Sequence, residues 1–163
     1  MEQERLERIR FRMNTKKYKI GYTQGTFDMF HIGHLNLLKQ AKEYCDILIV
    51  GVNSDTLVQE YKHKTPVINQ QERAEIMQAI RYVDNVVICD TLDKVAMHKW
   101  IHFDAIFIGD DWKGNNRWLQ TENDLAPLGA CVVYLKHTDG ISSTFLRTKE
   151  ENKITDNHET DNK

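Results

Sequence analysis

The chain has 163 residues, of which 40% are hydrophobic and 28% are charged, and its formal net charge is -2. These values fit one soluble globular domain with a core of its own. The balanced charge argues against a protein that binds nucleic acid through a basic surface, and no apolar run approaches the length of a membrane span.

Both ends of the chain are polar. Residues 1–18 mix basic and acidic side chains, and Leu6, Ile9 and Met13 recur at helical spacing. We interpret this segment as a solvated arm, with a short amphipathic helix as the alternative. Residues 150–163 contain almost no apolar residues, which predicts a disordered tail. The first residues lack the apolar stretch of a secretory signal, so we expect a cytoplasmic protein.

Between these ends, apolar runs of strand length alternate with segments of helical periodicity. The first strand is predicted at residues 19–25. A helix at 31–45 follows, and its apolar face comprises Leu35, Leu38, Ala41 and Cys45. In chain order the pattern then predicts a strand at 46–52, a helix at 70–83, a strand at 85–90, a helix at 92–102, a strand at 104–110, a helix at 115–126, a strand at 130–136 and a last short helix at 142–147.

Two of these helices have candidate caps. Asn69 precedes the helix at 70–83, and Glu72 stands three residues further on, as in a capping box. Thr91 is the candidate cap of the helix at 92–102.

The cysteines predict core positions. Cys45, Cys89 and Cys131 are far apart, odd in number and placed in or beside apolar stretches. We therefore expect small core residues, without disulfides or a metal cluster.

Strands that alternate with helices imply parallel pairing and right-handed crossovers. The sequence therefore predicts one Rossmann-like, doubly wound α/β domain over residues 19–149, with about five parallel strands. Such sheets bind ligands at the carboxyl ends of their strands. Polar and glycine-bearing segments follow the predicted strands at 25–34, 53–55, 89–91, 109–114 and 136–143. Their position favours a site for an anionic ligand.

The segment GTFDMFHIGH, residues 25–34, has the features of a phosphate-binding turn. Gly25 lets the chain turn out of the first strand, and the helix that follows begins with unpaired N–H groups that attract an anion. His31 and His34 share one face of its first turn. Zinc is an alternative ligand, but no Cys or His elsewhere has the spacing of a third ligand. A second alternative is that both histidines are local cap or surface residues.

Four motifs in order resemble the cytidylyltransferases of the HxGH nucleotidyltransferase superfamily. HIGH at 31–34 matches the HxGH signature, and TDGISST at 138–144 resembles the second signature, usually RTEGIST followed by Ser or Thr. IRYVDNVV at 80–87 and GDDWKG at 109–114 also fit. Class I aminoacyl-tRNA synthetases share HIGH, but they pair it with a KMSKS-type motif that does not occur here. The likeness is strongest to the glycerol-3-phosphate cytidylyltransferases, and it runs from Lys19 to Arg147.

The resemblance implies a reaction in which the phosphate of an acceptor attacks the α-phosphate of CTP. The expected products are a CDP-linked alcohol, used in cell-wall or capsule polymers, and pyrophosphate. Glycerol 3-phosphate is the first expected acceptor, with phosphoethanolamine, phosphocholine or a polyol phosphate as alternatives. An adenylyltransferase and a catalytically silent nucleotide-binding module are further alternatives. Family members are commonly homodimers, and Mg²⁺ is expected to enter with the triphosphate whose charge it shields.

The resemblance also implies roles for residues of this chain. The expected CTP-binding residues are Gly25, Thr26, Phe27, His31, His34, Lys64, Asp110, Asp111, His137, Thr138, Gly140, Ile141, Ser142, Ser143 and Thr144. The expected acceptor-binding residues are Asp28, Lys62, Arg73, Arg81, Lys94 and Trp112. The expected catalytic residues are His31, His34, Lys64 and Arg81.

Several of these residues have a second interpretation. Lys62 and Lys64 could belong to a solvated basic loop, and Arg73 could be an exposed helix residue. Trp112 could pack against substrate or close the edge of the core. The carboxylates at 110 and 111 could accept from the cytosine amino group, contact Mg²⁺ or orient a basic residue.

One position departs from the family pattern. His137 stands where the second signature usually has arginine. An isolated imidazole is mostly neutral at pH 7, so nucleotide affinity, pH dependence or nucleotide choice is expected to differ. Lys136 could supply the missing charge, but the alternation of side chains along a strand would place it on the opposite face.

Overall fold

The computed structural model describes residues 2–7, 16–138 and 146. Within these ranges the strands are β1 (Tyr18–Gly25), β2 (Cys45–Asn53), β3 (Asn85–Cys89), β4 (Ala105–Gly109) and β5 (Cys131–Leu135). The helices are α1 (Ile32–Tyr44), α2 (Asp55–Lys62), α3 (Gln70–Gln78), α4 (Lys94–Ile101) and α5 (Asn116–Leu125), with 3-10 turns at Asp110–Trp112 and Ala126–Leu128.

The strands of the described chain form one parallel sheet in the order β3-β2-β1-β4-β5. The chain runs outward from β1 through β2 to β3, and then crosses back to β4 and β5. The order therefore reverses beside β1, and such a reversal leaves a crevice at the carboxyl ends of the strands. The predicted doubly wound α/β fold is confirmed.

Helices cover both faces of the sheet. Leu38 of α1 and Met77 of α3 belong to the apolar cluster on one face, whereas Met97 of α4 and Leu125 of α5 belong to the cluster on the other. Because β2 lies between these layers, its apolar run is needed on both faces. Val50 and Val52 belong to the first cluster, and Ile49 packs against the second.

One helix is missing from the sequence prediction. The residues of α2 read as a polar loop, but Ser54 caps the helix by accepting a hydrogen bond from the N–H of Leu57. Only Leu57 and Val58 are buried along it. Two adjacent apolar residues give no helical periodicity, which is why the sequence pattern did not predict this helix.

Two helix boundaries also differ from the prediction. The carboxylate of Asp93, rather than the hydroxyl of Thr91, caps α4, because it accepts from the N–H groups of Val95 and Ala96. Helix α3 ends at Gln78, since the residues after it form turns.

The predicted cap of α3 is confirmed. Asn69 accepts from the N–H of Glu72 at 2.9 Å. The predicted helix at 142–147 lies outside the described residues except for Leu146, which is helical.

The remaining predictions concern the chain ends and the cysteines. Residues 2–7 are exposed and helical, while residues 8–15 of the predicted arm lie outside the described residues. The predicted tail at 150–163 lies outside the described residues. Cys45 and Cys89 are buried and Cys131 is half-buried, each as a free thiol. No helix in the described ranges has the length and apolar character needed to cross a bilayer.

Candidate active site

A cavity of about 430 Å³ opens at the carboxyl edge of the sheet, beside β1 and β4. It brings together most of the predicted site residues that the structure describes. From the first half of the chain they are Gly25, Thr26, Phe27, Asp28, His31, His34, Lys62 and Lys64. From the second half they are Asp111, Trp112, His137 and Thr138.

The two histidines of the HIGH segment form a reciprocal cap at the start of α1. His31 is the N-cap residue, and its Nδ1 accepts from the N–H of Gly33 at 3.0 Å. The Nδ1 of His34 accepts from the N–H of His31 at 3.3 Å. Because both Nδ1 atoms are acceptors, the proton of each neutral ring lies on Nε2. The rings stack with centroids 3.7 Å apart, and both histidines line the cavity.

The environment keeps this pair neutral at pH 7. Burial lowers the pKa of His31. Burial also lowers the pKa of His34 to about 4, with a further decrease from His31 and an opposing effect of Asp28. The imidazoles can therefore donate hydrogen bonds without carrying charge. The zinc alternative finds no support, because no group of three potential metal ligands occurs in the described part of the chain.

The turn before α1 is held in an uncommon backbone conformation. Phe27 and Met29 have φ of 52° and 48°, the left-handed region that non-glycine residues rarely adopt. The ring of Phe27 is nearly buried and packs edge-on against His34, with centroids 5.3 Å apart. Such strain persists only where the surroundings fix the chain, so this turn is well determined by its contacts.

Arg73 lies behind the cavity wall and does not line the cavity. Its side chain is fully buried. Nε donates to the carbonyl of Ile68, Nη1 donates to the carbonyls of Thr26 and Asn53, and Nη2 pairs with Asp55 at 2.6 Å. The structure therefore gives Arg73 a positioning role, because its donors are directed into the protein and not toward an acceptor substrate.

Asp28 connects the same turn to the loop after α2. Its Oδ2 accepts from the N–H of Val67 at 2.8 Å, and its Oδ1 accepts from the N–H of Ile68 at 3.0 Å. This loop carries the exposed Lys64, while Lys62 ends α2. Asp28 thus fixes the position of the basic loop, and its side chain also lines the cavity.

The opposite side of the cavity is formed by residues that follow β4 and β5. Lys136 lines the cavity together with His137, so the expectation that Lys136 lies on the opposite face is wrong. The physical reason is that β5 ends at Leu135, and side chains need not alternate beyond the end of a strand. The chain therefore has two basic residues at the cavity where the family motif has one arginine.

Three hydrogen bonds hold this exit segment, residues 136–138. Gln40 donates to the carbonyl of Lys136 at 3.1 Å, and Asn36 donates to the hydroxyl of Thr138 at 3.0 Å. The N–H of His137 donates to Asp110 at 3.1 Å. Asp110 therefore holds the backbone of His137, and it does not itself line the cavity. The side chains of Lys136 and His137 remain exposed.

Asp111 and Trp112 complete this side of the cavity. Trp112 lines the cavity and is 42% exposed, so it is not part of the buried core. The 3-10 turn of Asp110–Trp112 bends the chain out of β4 and places both side chains at the cavity.

Two predicted site residues lie elsewhere. Arg81 is exposed, and its guanidinium lies over the ring of Tyr82 at 5.5 Å. The amino group of Lys94 donates to the carbonyl of Leu92 and lies 5.9 Å from the ring centroid of Trp118. Burial, with a contribution from a neighbouring arginine, lowers the pKa of Lys94 to about 8. Neither residue lines the cavity.

The remaining part of the second signature cannot be placed. The predicted site residues of this part lie outside the described part of the chain, and they are Gly140, Ile141, Ser142, Ser143 and Thr144.

Sequence reasoning missed Gln24 and Tyr61. Gln24 lines the cavity, and the hydroxyl of Tyr61 contacts that of Thr26 at 3.1 Å. Gln24 was assigned only to a strand, although its place before Gly25 puts it at the carboxyl edge. Tyr61 belongs to α2, the helix that the pattern did not predict, so no sequence signal indicated its direction.

The sequence model of a cytidylyltransferase-like family matches residues 22–149. Among curated proteins, a glycerol-3-phosphate cytidylyltransferase of Bacillus subtilis is 35% identical over 77% of this chain and 92% of its own length. An FAD synthase of Thermococcus sibiricus is 43% identical over 76% of this chain and 84% of its own length. The bifunctional protein HldE of Hyphomonas neptunium is 41% identical over 82% of this chain, but this chain spans only 27% of that protein.

Solved structures support the fold. A lipopolysaccharide core biosynthesis protein of Thermoplasma volcanium aligns with a TM-score of 0.66, covering 75% of this chain and 99% of its own at 23% identity. At that identity the likeness concerns the architecture alone.

Proposed function

The chain belongs to the cytidylyltransferase-like family of nucleotidyltransferases, and from this premise we propose that it transfers CMP from CTP to glycerol 3-phosphate. A phosphate oxygen of the acceptor attacks the α-phosphorus of CTP, and the bond from that phosphorus to the bridging oxygen of the leaving group breaks. The products are CDP-glycerol and pyrophosphate. No covalent bond to the protein is required.

One observation carries this choice of substrates. Besides the Bacillus subtilis relative, a glycerol-3-phosphate cytidylyltransferase of Staphylococcus aureus resembles this chain. The two are 33% identical over 77% of this chain and 89% of the Staphylococcus aureus protein. The match therefore extends over nearly the whole of two proteins with this name. The cavity agrees with the proposal, because lysines and neutral N–H donors are suited to two phosphorylated substrates.

The roles of the residues follow from their positions in the cavity. The Nε2–H groups of His31 and His34 donate to oxygens of the α-phosphate and of the leaving pyrophosphate, where negative charge builds in the transition state. Lys64 is assigned to CTP and Lys62 to the phosphate of the acceptor. Lys136 adds a cation on the other side of the cavity. Catalysis then consists mainly of positioning and charge stabilisation.

Mg²⁺ fits this site as a companion of the triphosphate. The described residues hold no cluster of three candidate metal ligands, so the protein is not expected to bind the ion alone. Asp111 is the carboxylate on the second side of the cavity that could contact it, while Asp110 holds the backbone of His137. When bound, Mg²⁺ would shield the charge of the phosphates.

A second candidate is adenylyl transfer, favoured by the likeness to the FAD synthase. Formation of FAD by nucleotidyl transfer uses ATP and flavin mononucleotide, so both substrates would change while the chemistry stayed the same. Other phospho-alcohol acceptors with CTP are a smaller departure. A silent nucleotide-binding module is disfavoured, because a cavity lined by two preorganised donors and several lysines serves a reacting phosphate.

Pyrophosphate release from a matched panel tests these proposals. CTP and ATP are each combined with glycerol 3-phosphate, phosphoethanolamine, phosphocholine, a polyol phosphate and flavin mononucleotide, in the presence of Mg²⁺. We expect release with CTP and glycerol 3-phosphate to exceed every other pair. Preference for ATP and flavin mononucleotide would overturn the cytidylyl assignment, and nucleotide binding without release in any pair would favour the silent module. Omission of Mg²⁺ is the control for its proposed role.

We also propose that the protein is a homodimer, as the resemblance to the family implies. Light scattering coupled to size-exclusion chromatography should give twice the mass of one chain. A single-chain mass across a tenfold range of concentration would contradict this proposal.

A further inference from the structure

A chain of hydrogen-bonded side chains crosses the sheet and ends at the cavity. It begins at the buried Tyr22, whose hydroxyl donates to Gln24 Oε1 at 2.7 Å. Gln24 Nε2 donates to Asn53 Oδ1 at 2.9 Å. Asn53 Nδ2 donates to the hydroxyl oxygen of Tyr61 at 3.2 Å, and that hydroxyl contacts Thr26 Oγ1 at 3.1 Å. Five side chains from β1, β2, α2 and the first turn are thus connected in series.

A backbone carbonyl fixes the orientation of the first amide in the series. Gln24 Nε2 also donates to the carbonyl of Thr91 at 2.8 Å. Only the NH₂ group of an amide can donate to a carbonyl, so the side chain of Gln24 cannot be reversed. Its oxygen must then face Tyr22, and its second hydrogen must face the oxygen of Asn53. Because the oxygen of Asn53 accepts from Gln24, the NH₂ group of Asn53 must face Tyr61.

The direction of the Asn53–Tyr61 bond follows from this arrangement, whereas either hydroxyl could be the donor between Tyr61 and Thr26. The oxygen of Tyr61 accepts from Asn53, and when its hydrogen is used within this chain of bonds, it is donated to Thr26. Thr26 Oγ1 accepts that bond, and its own hydrogen is left for another acceptor. Among the described residues the Thr26 hydroxyl has no second hydrogen-bond partner. Since Thr26 lines the cavity, the free hydrogen is available to a ligand there.

The surrounding structure is built to keep this chain in place. Arg73 Nη1 donates to the backbone carbonyls of both Thr26 and Asn53, at 2.7 and 2.9 Å, so one group holds the two segments that the chain must bridge. Gly51 gives room at the other end, because a Cβ there would lie 2.2 Å from the hydroxyl of Tyr22. Hydrogen bonds in series polarise one another, which strengthens the final donor.

We propose that Tyr22, Gln24, Asn53 and Tyr61 form a one-directional relay that makes Thr26 a donor to a phosphate oxygen of the bound nucleoside triphosphate. The relay residues are positioning residues, and only Thr26 touches the ligand. This inference rests on the proposed function insofar as a nucleotide occupies the cavity, but it does not depend on the acceptor or on the base. Its consequence is that the direction of the hydrogen bonds, rather than their number, determines nucleotide affinity.

Reversal of the relay with little change in shape provides the test. Asn53→Asp replaces the NH₂ group by a second carboxylate oxygen, which draws the hydrogen of Tyr61 to itself. The bond between Tyr61 and Thr26 can then persist only with Thr26 as its donor. The hydrogen of Thr26 is then withdrawn from the cavity. We expect CTP affinity, measured by isothermal titration, to fall about tenfold, as for loss of a hydrogen bond to a charged group. Tyr44→Phe, which removes an exposed hydroxyl outside the cavity, should leave affinity unchanged.

A rescue variant separates reversal from the effect of an added negative charge. In Asn53→Asp combined with Tyr61→Phe, Thr26 no longer has a partner in the relay, so its hydrogen returns to the ligand. We expect affinity to recover at least threefold relative to Asn53→Asp alone. Affinity equal to or weaker than that of Asn53→Asp would overturn the relay, since a charge effect persists in the double variant.

A second comparison covers the case in which the double variant does not fold. In a Thr26→Val background, Asn53→Asp should change affinity less than twofold, because no hydroxyl remains to be reversed. A full tenfold loss in that background would also overturn the proposal. All titrations use CTP and ATP without acceptor, and melting temperatures verify folding. Absence of turnover with glycerol 3-phosphate would therefore contradict the proposed substrate while leaving the relay measurable through binding.

Discussion

The two sides of the cavity are built in different ways. We call residues 25–34 the first wall, and residues 110–112 together with 136–138 the second wall. In the first wall the carboxylate of Asp28 and both imidazoles are held by hydrogen bonds from the backbone. In the second wall, Lys136 and His137 are held through their backbone atoms, and their side chains are exposed.

This difference separates two tasks of a nucleotidyl transfer site. Donors that stabilise a reacting phosphate must already be in position, because reorganisation during the reaction reduces their effect. Exposed side chains lose conformational entropy when they bind a ligand, but they can adapt to it. The first wall is suited to chemistry and the second to recognition. The replacement of the family's arginine by His137 lies in the second wall, where the packing of the protein tolerates it.

The largest effect should come from loss of the group that supports the first wall. Arg73→Met removes the four hydrogen bonds of a fully buried guanidinium and leaves Asp55 without its ion-pair partner. We expect the free energy of unfolding to fall by about 3 kcal/mol, as for other broken buried ion pairs. Urea unfolding followed by circular dichroism measures this change. Arg81→Met is the matched control, and it should stay within about 0.5 kcal/mol because Arg81 is exposed. Equal losses of unfolding free energy in the two variants would contradict the proposal that the buried Arg73 supports the first wall and the exposed Arg81 does not.

His31→Asn tests the chemistry of the first wall without removing its cap. Asparagine is a good N-cap residue. Its side-chain oxygen can therefore accept the hydrogen bond from the N–H of Gly33 that Nδ1 of His31 accepts in the wild type. The Nε2–H donor is lost, and we expect kcat to fall about 100-fold, as for loss of one transition-state donor. The melting temperature should stay nearly constant. Unchanged turnover would show that the histidine serves only as a cap.

Lys136→Gln should mainly affect binding. Loss of an exposed cation in the second wall is expected to raise the Kd for CTP about tenfold, as for a charged hydrogen bond, with little change in stability. The effect should shrink as salt screens the charge. Lys99→Gln, at an exposed position of α4 that does not line the cavity, is the matched control for net charge. Identical effects of the two variants would mean that only overall charge matters.

A smaller gain is expected when the family residue is restored. His137→Arg adds a permanent cation that can hold two phosphate oxygens, so triphosphate affinity at pH 8 should rise about threefold, less than a full charged hydrogen bond. Isothermal titration of CTP and ATP measures this change and also tests nucleotide choice. Affinities that remain unchanged would indicate that Lys136 already supplies the required charge.

Mild acidification should have the smallest effect. The pKa of His34 is lowered from its ordinary value of 6.5 to about 4, so below pH 6.5 the unfolded chain binds more protons at this site than the folded one. Stability from this residue is therefore complete above pH 6.5 and declines as the pH falls toward 4. The melting temperature should decrease slightly from pH 7 to 6, and less so in His34→Asn. A pKa of His34 near 6.5, measured by NMR, would contradict this prediction.

The sequence was informative wherever a local pattern decides the structure. Apolar runs predicted the strands, and Asn69 predicted the start of α3. The spacing of His31 and His34 predicted two imidazoles on one helical turn. Helix α2 was not predictable in this way, because it is stabilised by its Ser54 cap and by burial of two adjacent residues. With α2 missing, the direction of Tyr61 could not be inferred either.

The sequence by itself determined the fold class and the chemical type of the site, since both depend on residues that are neighbours along the chain. Only the tertiary structure decided what each long side chain does. Arg73 turns inward because carbonyls from three separate segments meet around its guanidinium, and Lys136 reaches the cavity because β5 ends one residue earlier. The relay that ends at Thr26 joins residues far apart in sequence, so its direction depends on which donors meet which acceptors in the folded chain.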